Sequence, residues 1–231
     1  MRKYLKGLAR VTLRSAKNFS KYCYWMPWYL KFVLKGNKGC FNIFTHLTKT
    51  KRLLLYKLAL SLCRNCVIVE IRSYVGGSST FLASAATEKN GMLYCVDTWK
   101  NEAMPEGLRD TYNEFTKNTK PYKKWIVPLR GKSVEVAKDF DKEIDLLFID
   151  GDHSYEAVKS DVEAWFPKLK DGAIVVFHDY GWAEGVKRVV KEMVKPIQIG
   201  KGNNELPNTY WTRIKKDDIQ KIVLKKRNEH D

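Results

Sequence analysis

Two clusters of polar side chains directly follow short apolar runs, at residues 146–149 and 173–177 of the sequence. The clusters contain three carboxylates and two imidazoles: Asp150, Asp152, His153, His178 and Asp179. Short apolar runs of this kind are typical of buried parallel strands. Because open α/β sheets bind ligands at the carboxyl ends of their strands, we expect both clusters to lie at one edge of a sheet.

Three of these residues have side chains that can share a divalent cation. Asp150, His178 and Asp179 lie at the ends of neighbouring predicted strands, so they can converge on one ion. Oxygen-rich ligation with one imidazole allows Mg²⁺, Mn²⁺ or Fe²⁺, of which Mg²⁺ is the expected ion. A bound cation would lower the pKa of a ligating hydroxyl group. The alternative is that His178 only orients Asp179 through a hydrogen bond.

Two further residues of the first cluster are candidates for a general base. Asp152 would need little added proton affinity beside a metal, once the hydroxyl of the substrate is ionising. His153 is the other candidate, because imidazole is a common general base at neutral pH. Residue chemistry alone leaves both candidates open.

A second pair of acids follows two earlier predicted strands. Glu70 lies near the end of strand 66–71, and Asp97 follows strand 92–96. The turn at residues 72–78 contains glycine but matches neither the P-loop nor the dinucleotide fingerprint. Glu70 would repel a pyrophosphate, whereas S-adenosylmethionine has no phosphate and carries an ammonium, a sulfonium and a ribose diol. The two acids therefore favour S-adenosylmethionine as the cofactor.

The order of the predicted elements indicates the fold class. From about residue 50, short apolar strands alternate with segments of helical periodicity, which predicts an α/β, doubly wound sheet. A chain of 231 residues is long enough for one such domain and an appendage. We predict an N-terminal arm at residues 1–49 and a catalytic domain at residues 50–231.

The predicted arm carries the positive charge of the protein. The formal net charge is +16, but residues 1–69 contain fifteen Lys or Arg and no acid. The remaining chain has 27 basic and 26 acidic residues, so the catalytic domain is nearly neutral. Lys3, Lys6, Arg10 and Arg14 recur at helical spacing, and an aromatic stretch follows at residues 22–30.

The charge and the aromatic residues of the arm leave two interpretations open. One is contact with an anionic membrane surface. The other is packing of the arm on its own domain or on a second copy in a homo-oligomer. No nucleic-acid-binding module accompanies the charge, so a nucleic-acid partner is not expected. With no secretory signal and no disulfide framework among five cysteines, we expect a cytoplasmic protein that could contact the inner membrane surface.

Four motifs in order give the sequence a family resemblance. They are Val-Glu-Ile-x-Ser-Tyr-Val-Gly-Gly-Ser, Cys-Val-Asp-Thr-Trp, Ile-Asp-Gly-Asp-His-Ser-Tyr and Phe-His-Asp-Tyr. The chain resembles class I S-adenosylmethionine-dependent methyltransferases over about residues 50–195. It is most similar to the metal-dependent O-methyltransferase branch, which includes sugar and macrolide O-methyltransferases and cephalosporin-hydroxylase-like proteins. The resemblance implies a Rossmann-like, mostly parallel seven-stranded sheet with the last strand antiparallel.

The resemblance also implies roles for individual residues. Four residues would surround the methionine part of the cofactor: Glu70, Tyr74, Gly76 and Ser78. Asp97 would bind both ribose hydroxyls, and Ser133 would lie beside the adenine. Asp152 matches the base of the sugar-modifying relatives and His153 the catalytic lysine of the catechol-type enzymes, so Asp152 is preferred.

The expected function is methyl transfer from S-adenosylmethionine to a hydroxyl of a small molecule or sugar, with the help of a divalent metal. Two alternatives remain open at this point. Some relatives are named as hydroxylases, so the first is a metal-dependent hydroxylase. The second is a non-catalytic binding protein, because Arg72 replaces the glycine of the family motif.

Overall fold

The computed structural model describes residues 23–102, 107–204 and 206–219. The chain divides into two compact units, with the division between Phe41 and Asn42. The basic stripe predicted at residues 3–14 lies outside the described residues. The predicted division into residues 1–49 and 50–231 stays a prediction.

The described part of the first unit is helical and aromatic. Residues 23–34 form helix α1, and a 3₁₀ helix follows at Asn37–Asn42. Phe32 is fully buried and its ring contacts that of Phe41 edge to face, with the ring centroids 5.5 Å apart. Leu30 and Leu34 are exposed. Among the described residues, no helix has both the length and the apolar character needed to span a membrane.

The second unit contains one mixed sheet. Its strands within the described residues are β1 (Val67–Ile71), β2 (Met92–Asp97), β3 (Ile126–Arg130), β4 (Ile144–Ile149), β5 (Leu169–His178), β6 (Gln198–Asn203) and β7 (Thr209–Ile214). The strand order is β3-β2-β1-β4-β5-β7-β6. Strands β1 to β5 pair in parallel, and β7 runs antiparallel to both β5 and β6. This sheet confirms the predicted α/β, Rossmann-like fold with an antiparallel last strand.

Helices connect the strands, as a parallel sheet requires. The α-helices of this unit with described bounds are α2 (Lys49–Leu60), α3 (Ser79–Lys89), α4 (Tyr112–Thr119), α5 (Ser133–Asp139), α6 (Tyr155–Trp165) and α7 (Glu184–Val189). A π-helical turn at Val190–Val194 continues α7. Asn90 adopts the left-handed conformation that commonly ends a helix, which explains why α3 stops there.

The central strands are buried because helices cover both faces of the sheet. Residues 146–149 of β4 are at most 3% exposed. Asp145, near the start of β4, is the one acid within this strand. It accepts a hydrogen bond from the Val67 backbone N–H at 2.8 Å and forms an ion pair with Lys170. Asp150 directly follows β4 and lies at the carboxyl edge of the sheet, beside the end of β5.

Candidate active site

An open cleft of about 1090 Å³ lies at the carboxyl ends of β1, β2, β4 and β5. Its volume is that of a site for a small organic molecule. Nine of the eleven residues predicted to form the site line it: Tyr74, Ser78, Asp97, Ser133, Asp150, Asp152, His153, His178 and Asp179. Because these residues come from four strand ends and from the start of α5, the sheet itself brings them together.

Glu70 lies beneath the cleft instead of on its wall. Its side chain is fully buried in β1, where it accepts a hydrogen bond from the Ser79 hydroxyl and lies 3.6 Å from Cys95 Sγ. Burial raises the pKa of Glu70, and nearby serine hydroxyls oppose that rise. Its second oxygen, Oε1, has no hydrogen-bond partner among the described residues. Glu70 thus supports the turn after β1 from below.

Gly76 is required by packing against α4. Its φ is +88°, and an added Cβ would lie 2.8 Å from Thr119 Cγ2 and 3.4 Å from the Phe115 ring. A positive φ and a close neighbour both exclude a larger residue. The contact to α4 accounts for the glycine without a ligand, so its proposed contact with the cofactor stays a prediction.

Arg72 adopts a backbone conformation that usually belongs to glycine. Its φ is +64°, and its N–H donates to the Val96 carbonyl at 2.8 Å, which fixes the turn against β2. The side chain runs beside Gly151, with Arg72 Nε 3.8 Å from the place where a Cβ on Gly151 would stand. In the described part of the chain Arg72 forms no ion pair within 4.0 Å, although its charge lowers the pKa of both Asp97 and Asp152.

Asp97 holds the turn and can still accept hydrogen bonds. Its two carboxylate oxygens accept the backbone N–H of Tyr74 at 2.8 Å and of Trp99 at 2.7 Å. Burial raises the pKa of Asp97, and these two hydrogen bonds oppose the rise. Since each carboxylate oxygen has two lone pairs, both remain able to accept a hydroxyl from a ribose diol.

Ser133 and a second carboxylate meet at the far side of the cleft. Ser133 begins α5, and its hydroxyl accepts the indole N–H of Trp165 at 2.8 Å. Asp161, on α6, also lines the cleft and is only 7% exposed. Burial raises the pKa of Asp161 to about 6, against the effects of Ser133 and Arg72. Asp161 was not predicted as a site residue, because an acid on the buried side of a helix is recognised only from the packing.

Asp150, His178 and Asp179 converge as predicted from their positions at strand ends. His178 Nδ1 lies 2.7 Å from Asp150 Oδ1 and 2.9 Å from Asp179 Oδ2. One possible ligand atom from each residue lies within 4.8 Å of the others, which suits a single divalent cation. Burial acts to raise the pKa of Asp179, but hydrogen bonds from His178 and Trp182 outweigh it and lower the pKa to about 2. The cluster therefore fits a hard cation in its donor chemistry.

The two candidate bases differ in their surroundings. Asp152 Oδ1 accepts the Ser154 backbone N–H at 2.7 Å, and this bond lowers the pKa of Asp152. His153 Nε2 lies 2.8 Å from Asp179 Oδ2, and its ring contacts Trp182 edge to face. His153 is thus tied to the acidic cluster, whereas Asp152 is held by the start of α6.

One wall of the cleft is formed by a segment that precedes the first strand in the chain. This contribution was not predicted from the sequence. Thr45, His46, Leu47 and Lys51 line the cleft from this side. An added Cβ on Gly77 would lie 2.6 Å from Thr45 Cβ, so this segment packs directly on the turn after β1. The pair Gly76-Gly77 indicates that something packs closely on this turn, but it does not indicate which segment of the chain does so.

Lys51 contacts the acidic cluster through His178. Its side chain is buried, and Nζ lies 2.9 Å from His178 Nε2. Burial lowers the pKa of Lys51, while burial acts to lower that of His178 and the two carboxylates raise it to about 9. Two protonated groups cannot face each other at this distance, because neither would offer a lone pair.

Comparison with known proteins shows what the central part of the chain is similar to. A family model described as a methyltransferase domain matches residues 69–180. An uncharacterized protein of Sinorhizobium fredii, y4gI, is 33% identical over 116 residues, which are 48% of this chain and 13% of that protein. The uncharacterized protein R132 of Acanthamoeba polyphaga mimivirus is 29% identical over 149 residues, 58% of this chain and 61% of that protein. The chain therefore spans less than two thirds of either curated relative.

Solved structures share the fold at low sequence identity. The O-methyltransferase TomG from Streptomyces achromogenes, in complex with S-adenosylmethionine, superposes with a TM-score of 0.59 at 14% identity, over 73% of this chain and 81% of that one. CalS11, a TDP-rhamnose 3′-O-methyltransferase of calicheamicin biosynthesis, gives 0.55 at 19% identity, over 71% and 77%. Residues 69–180 are therefore similar to a methyltransferase domain, and the chain shares the fold of these two O-methyltransferases.

Proposed function

We propose that the protein transfers a methyl group from S-adenosylmethionine to a hydroxyl of a small molecule or sugar, with the assistance of a divalent cation. The observation that carries this proposal is the single cleft in which a cofactor-type carboxylate, Asp97, faces the Asp150–His178–Asp179 cluster. A sugar acceptor is supported by the activity of CalS11, a TDP-rhamnose 3′-O-methyltransferase with the same fold.

The cofactor half of the cleft suits a nucleoside without phosphate. Asp97 offers two acceptors for a ribose diol, and Asp161 and Ser133 supply polar groups at the far side. Bound S-adenosylmethionine would supply an electrophilic methyl group. The protein's own part is to hold donor and acceptor in line and to exclude water, which accounts for much of the rate of such transfers.

The acceptor half of the cleft suits a hydroxyl group. Asp150, Asp179 and, through Nδ1, His178 would hold a divalent cation. Such a cation would lower the pKa of an acceptor hydroxyl beside it. Asp152 lies next to this cluster on the same loop and would take the proton from that hydroxyl.

Calorimetry tests the cofactor half of the proposal. We expect the folded chain to bind both S-adenosylmethionine and S-adenosylhomocysteine, and Asp97→Asn to weaken both at least about tenfold, which corresponds to about 1.4 kcal/mol. Asp141→Asn is the matched control, because Asp141 is exposed and its side chain pairs only with Lys142 in the described structure. Failure of the folded protein to bind either compound would overturn the proposal.

Product analysis tests the reaction. After incubation with a panel of sugars, nucleotide sugars and phenols, mass spectrometry should show the gain of one methyl group. A gain of one oxygen would identify a hydroxylase instead.

The same assay separates the two candidate bases. We expect Asp152→Asn to lose most of the turnover, because amide nitrogen and oxygen cannot take the hydroxyl proton. His153→Ala should keep more of it, since its ring contacts Asp179 and Trp182 at the edge of the cluster. Full turnover by Asp152→Asn with none by His153→Ala would reverse the assignment.

A further inference from the structure

Arg72 extends from the end of β1 into the cleft. Its backbone has the left-handed conformation, with φ at +64°, and its N–H donates to the Val96 carbonyl at 2.8 Å. The side chain lines the cleft and passes Gly151, where Nε lies 3.8 Å from the position of an added Cβ. The turn therefore determines where the guanidinium enters the cleft.

The guanidinium lies between the two halves of the cleft. On the acceptor side it passes Gly151, which belongs to the loop that carries Asp152. On the cofactor side the Arg72 backbone is bonded to β2 one residue before Asp97. The positive charge of Arg72 acts on both carboxylates. In the described part of the chain no carboxylate lies close enough to pair with it directly, so the charge remains open to a ligand in the cleft.

The chemistry of the cofactor puts its own charge between the same two halves. In S-adenosylmethionine the sulfonium is bonded to the carbon that follows the ribose ring, and its methyl group must face the acceptor hydroxyl for transfer. With the ribose diol at Asp97 and the acceptor beside the Asp150–His178–Asp179 cluster, the sulfonium would lie between them. The product, S-adenosylhomocysteine, has a neutral thioether in place of the sulfonium. Arg72 would therefore lie near a like charge before the transfer and near none after it.

We propose that Arg72 is a specificity-determining residue that raises the affinity of the cleft for S-adenosylhomocysteine relative to S-adenosylmethionine. The proposal rests on the proposed function and deepens its cofactor half. Asp97 and Asp152 line the same cleft and attract the sulfonium, whereas Arg72 opposes that attraction. At an effective dielectric constant of about 20, two like charges separated by the width of such a cleft still repel enough to change affinity several-fold.

The ratio of two dissociation constants tests the proposal on the full-length protein. Calorimetry gives the dissociation constant of S-adenosylmethionine divided by that of S-adenosylhomocysteine, and this ratio should be at least about fivefold lower for Arg72→Asn than for the unmodified protein. Asparagine is neutral and tolerates the left-handed backbone. A change in the turn itself acts on both ligands alike and cancels in the ratio.

Arg213→Asn is the matched control for the loss of one positive charge. Arg213 is exposed and donates to the Gly172 carbonyl at 2.7 Å, toward the amino end of β5 and away from the cleft. The control should keep the ratio of the unmodified protein. An equal ratio in Arg72→Asn and the unmodified protein overturns the proposal.

Two further substitutions separate the charge of Arg72 from its size. Arg72→Lys keeps the positive charge and should keep the high ratio, whereas Arg72→Met keeps a long side chain without charge and should give the low ratio of Arg72→Asn. A ratio that follows side-chain size instead of charge overturns the proposal. Failure of the folded protein to bind either compound overturns the proposed function together with this inference, whereas intact binding of both with an unchanged ratio overturns the inference alone.

Discussion

Arg72 keeps the backbone conformation of the glycine that it replaces. A non-glycine residue in the left-handed region costs roughly 1 kcal/mol, and strain of this kind is common at functional sites. The side chain also places a positive charge near Asp97 and Asp152, in a cleft proposed to hold a cationic cofactor. The residue therefore bears on both stability and cofactor affinity.

Substitution of Arg72 separates these two effects. Arg72→Gly should stabilise the fold by about 1 kcal/mol relative to Arg72→Ala, because only glycine tolerates the positive φ freely. Both variants should bind S-adenosylmethionine more tightly than the unmodified protein, since both remove a like charge. Chemical denaturation and calorimetry measure the two quantities. Weaker binding by both variants would show instead that the guanidinium holds the carboxylate of the cofactor.

Asp161 gives a pH-dependent prediction. Its folded pKa of about 6 lies above the ordinary value of 3.8, so ionisation opposes folding. This penalty is small below about pH 3.5, grows as pH rises from about 4 to 6 and is constant above. Asp161→Asn should be more stable than the unmodified protein by roughly 2 to 3 kcal/mol at pH 7. Urea denaturation at pH 4 and pH 7 should show that most of the difference is lost at the lower pH; a gain equal at both would contradict the assignment.

Sequence reasoning located the residues that follow apolar strands and missed those that reach the cleft from helices. Asp97, Asp150 and His178 were predictable because parallel strands end at one edge. Lys51 was not, because its partner is 127 residues away and a lysine in a first helical turn is ordinarily solvated. Glu70 lies in β1 with its side chain buried below the cleft, and its predicted contact with the cofactor stays a prediction.

Helix α7 holds the loop that carries the candidate bases. Gly185 faces this loop: an added Cβ would overlap the His153 carbonyl and lie 2.5 Å from the Tyr155 backbone N. Both neighbours are backbone atoms, so the helix or the loop would have to move. The missing side chain thus allows α7 to support residues 151–155 directly.

Gly185→Ala should therefore be strongly disruptive. We expect the free energy of unfolding to fall by about 1 to 3 kcal/mol, in the range of overpacked sites. Turnover should fall further than stability alone explains, because the loop with Asp152 is displaced. Gly39→Ala is the control, since no atom lies within 4 Å of the added methyl group. Unchanged stability and activity in Gly185→Ala would show that the loop yields easily.

The type of each strand was predicted more accurately than the residues at which it begins and ends. The apolar runs at residues 66–71, 92–96, 146–149 and 173–177 each coincide with a strand of the described sheet, namely β1, β2, β4 and β5. β5 was predicted from residue 173 but begins at Leu169, because polar residues 170–172 extend the strand at the edge without an apolar signal. The hydrophobic pattern therefore predicted the type of each element, whereas tertiary contacts determined how long the element is.

Charge divides the whole molecule unevenly. None of the acids lies in residues 1–69, which hold fifteen of the 42 basic residues. In the described part of the first unit, Tyr24, Leu30 and Leu34 are exposed. We propose that this segment contacts an anionic membrane surface, where apolar side chains and basic charge act together.

Vesicle flotation tests this contact with the full chain. The protein should float with vesicles that contain anionic lipid and not with neutral ones, and salt should weaken the binding. Glutamine in place of Lys3, Lys6, Arg10 and Arg14 should abolish flotation while cofactor binding stays unchanged. Identical behaviour of the two proteins would leave packing within the molecule or on a second copy as the role of the segment.

The contact between Lys51 of α2 and His178 at the end of β5 also determines when the cleft can form during folding. A ribosome completes Lys51 well before it reaches His178, and the intervening residues include the first four strands of the sheet. Bringing such distant residues together requires the chain between them to fold first. A nascent or partly folded chain therefore has no assembled cleft, and the ability to bind ligand becomes a late event that reports completion of the domain.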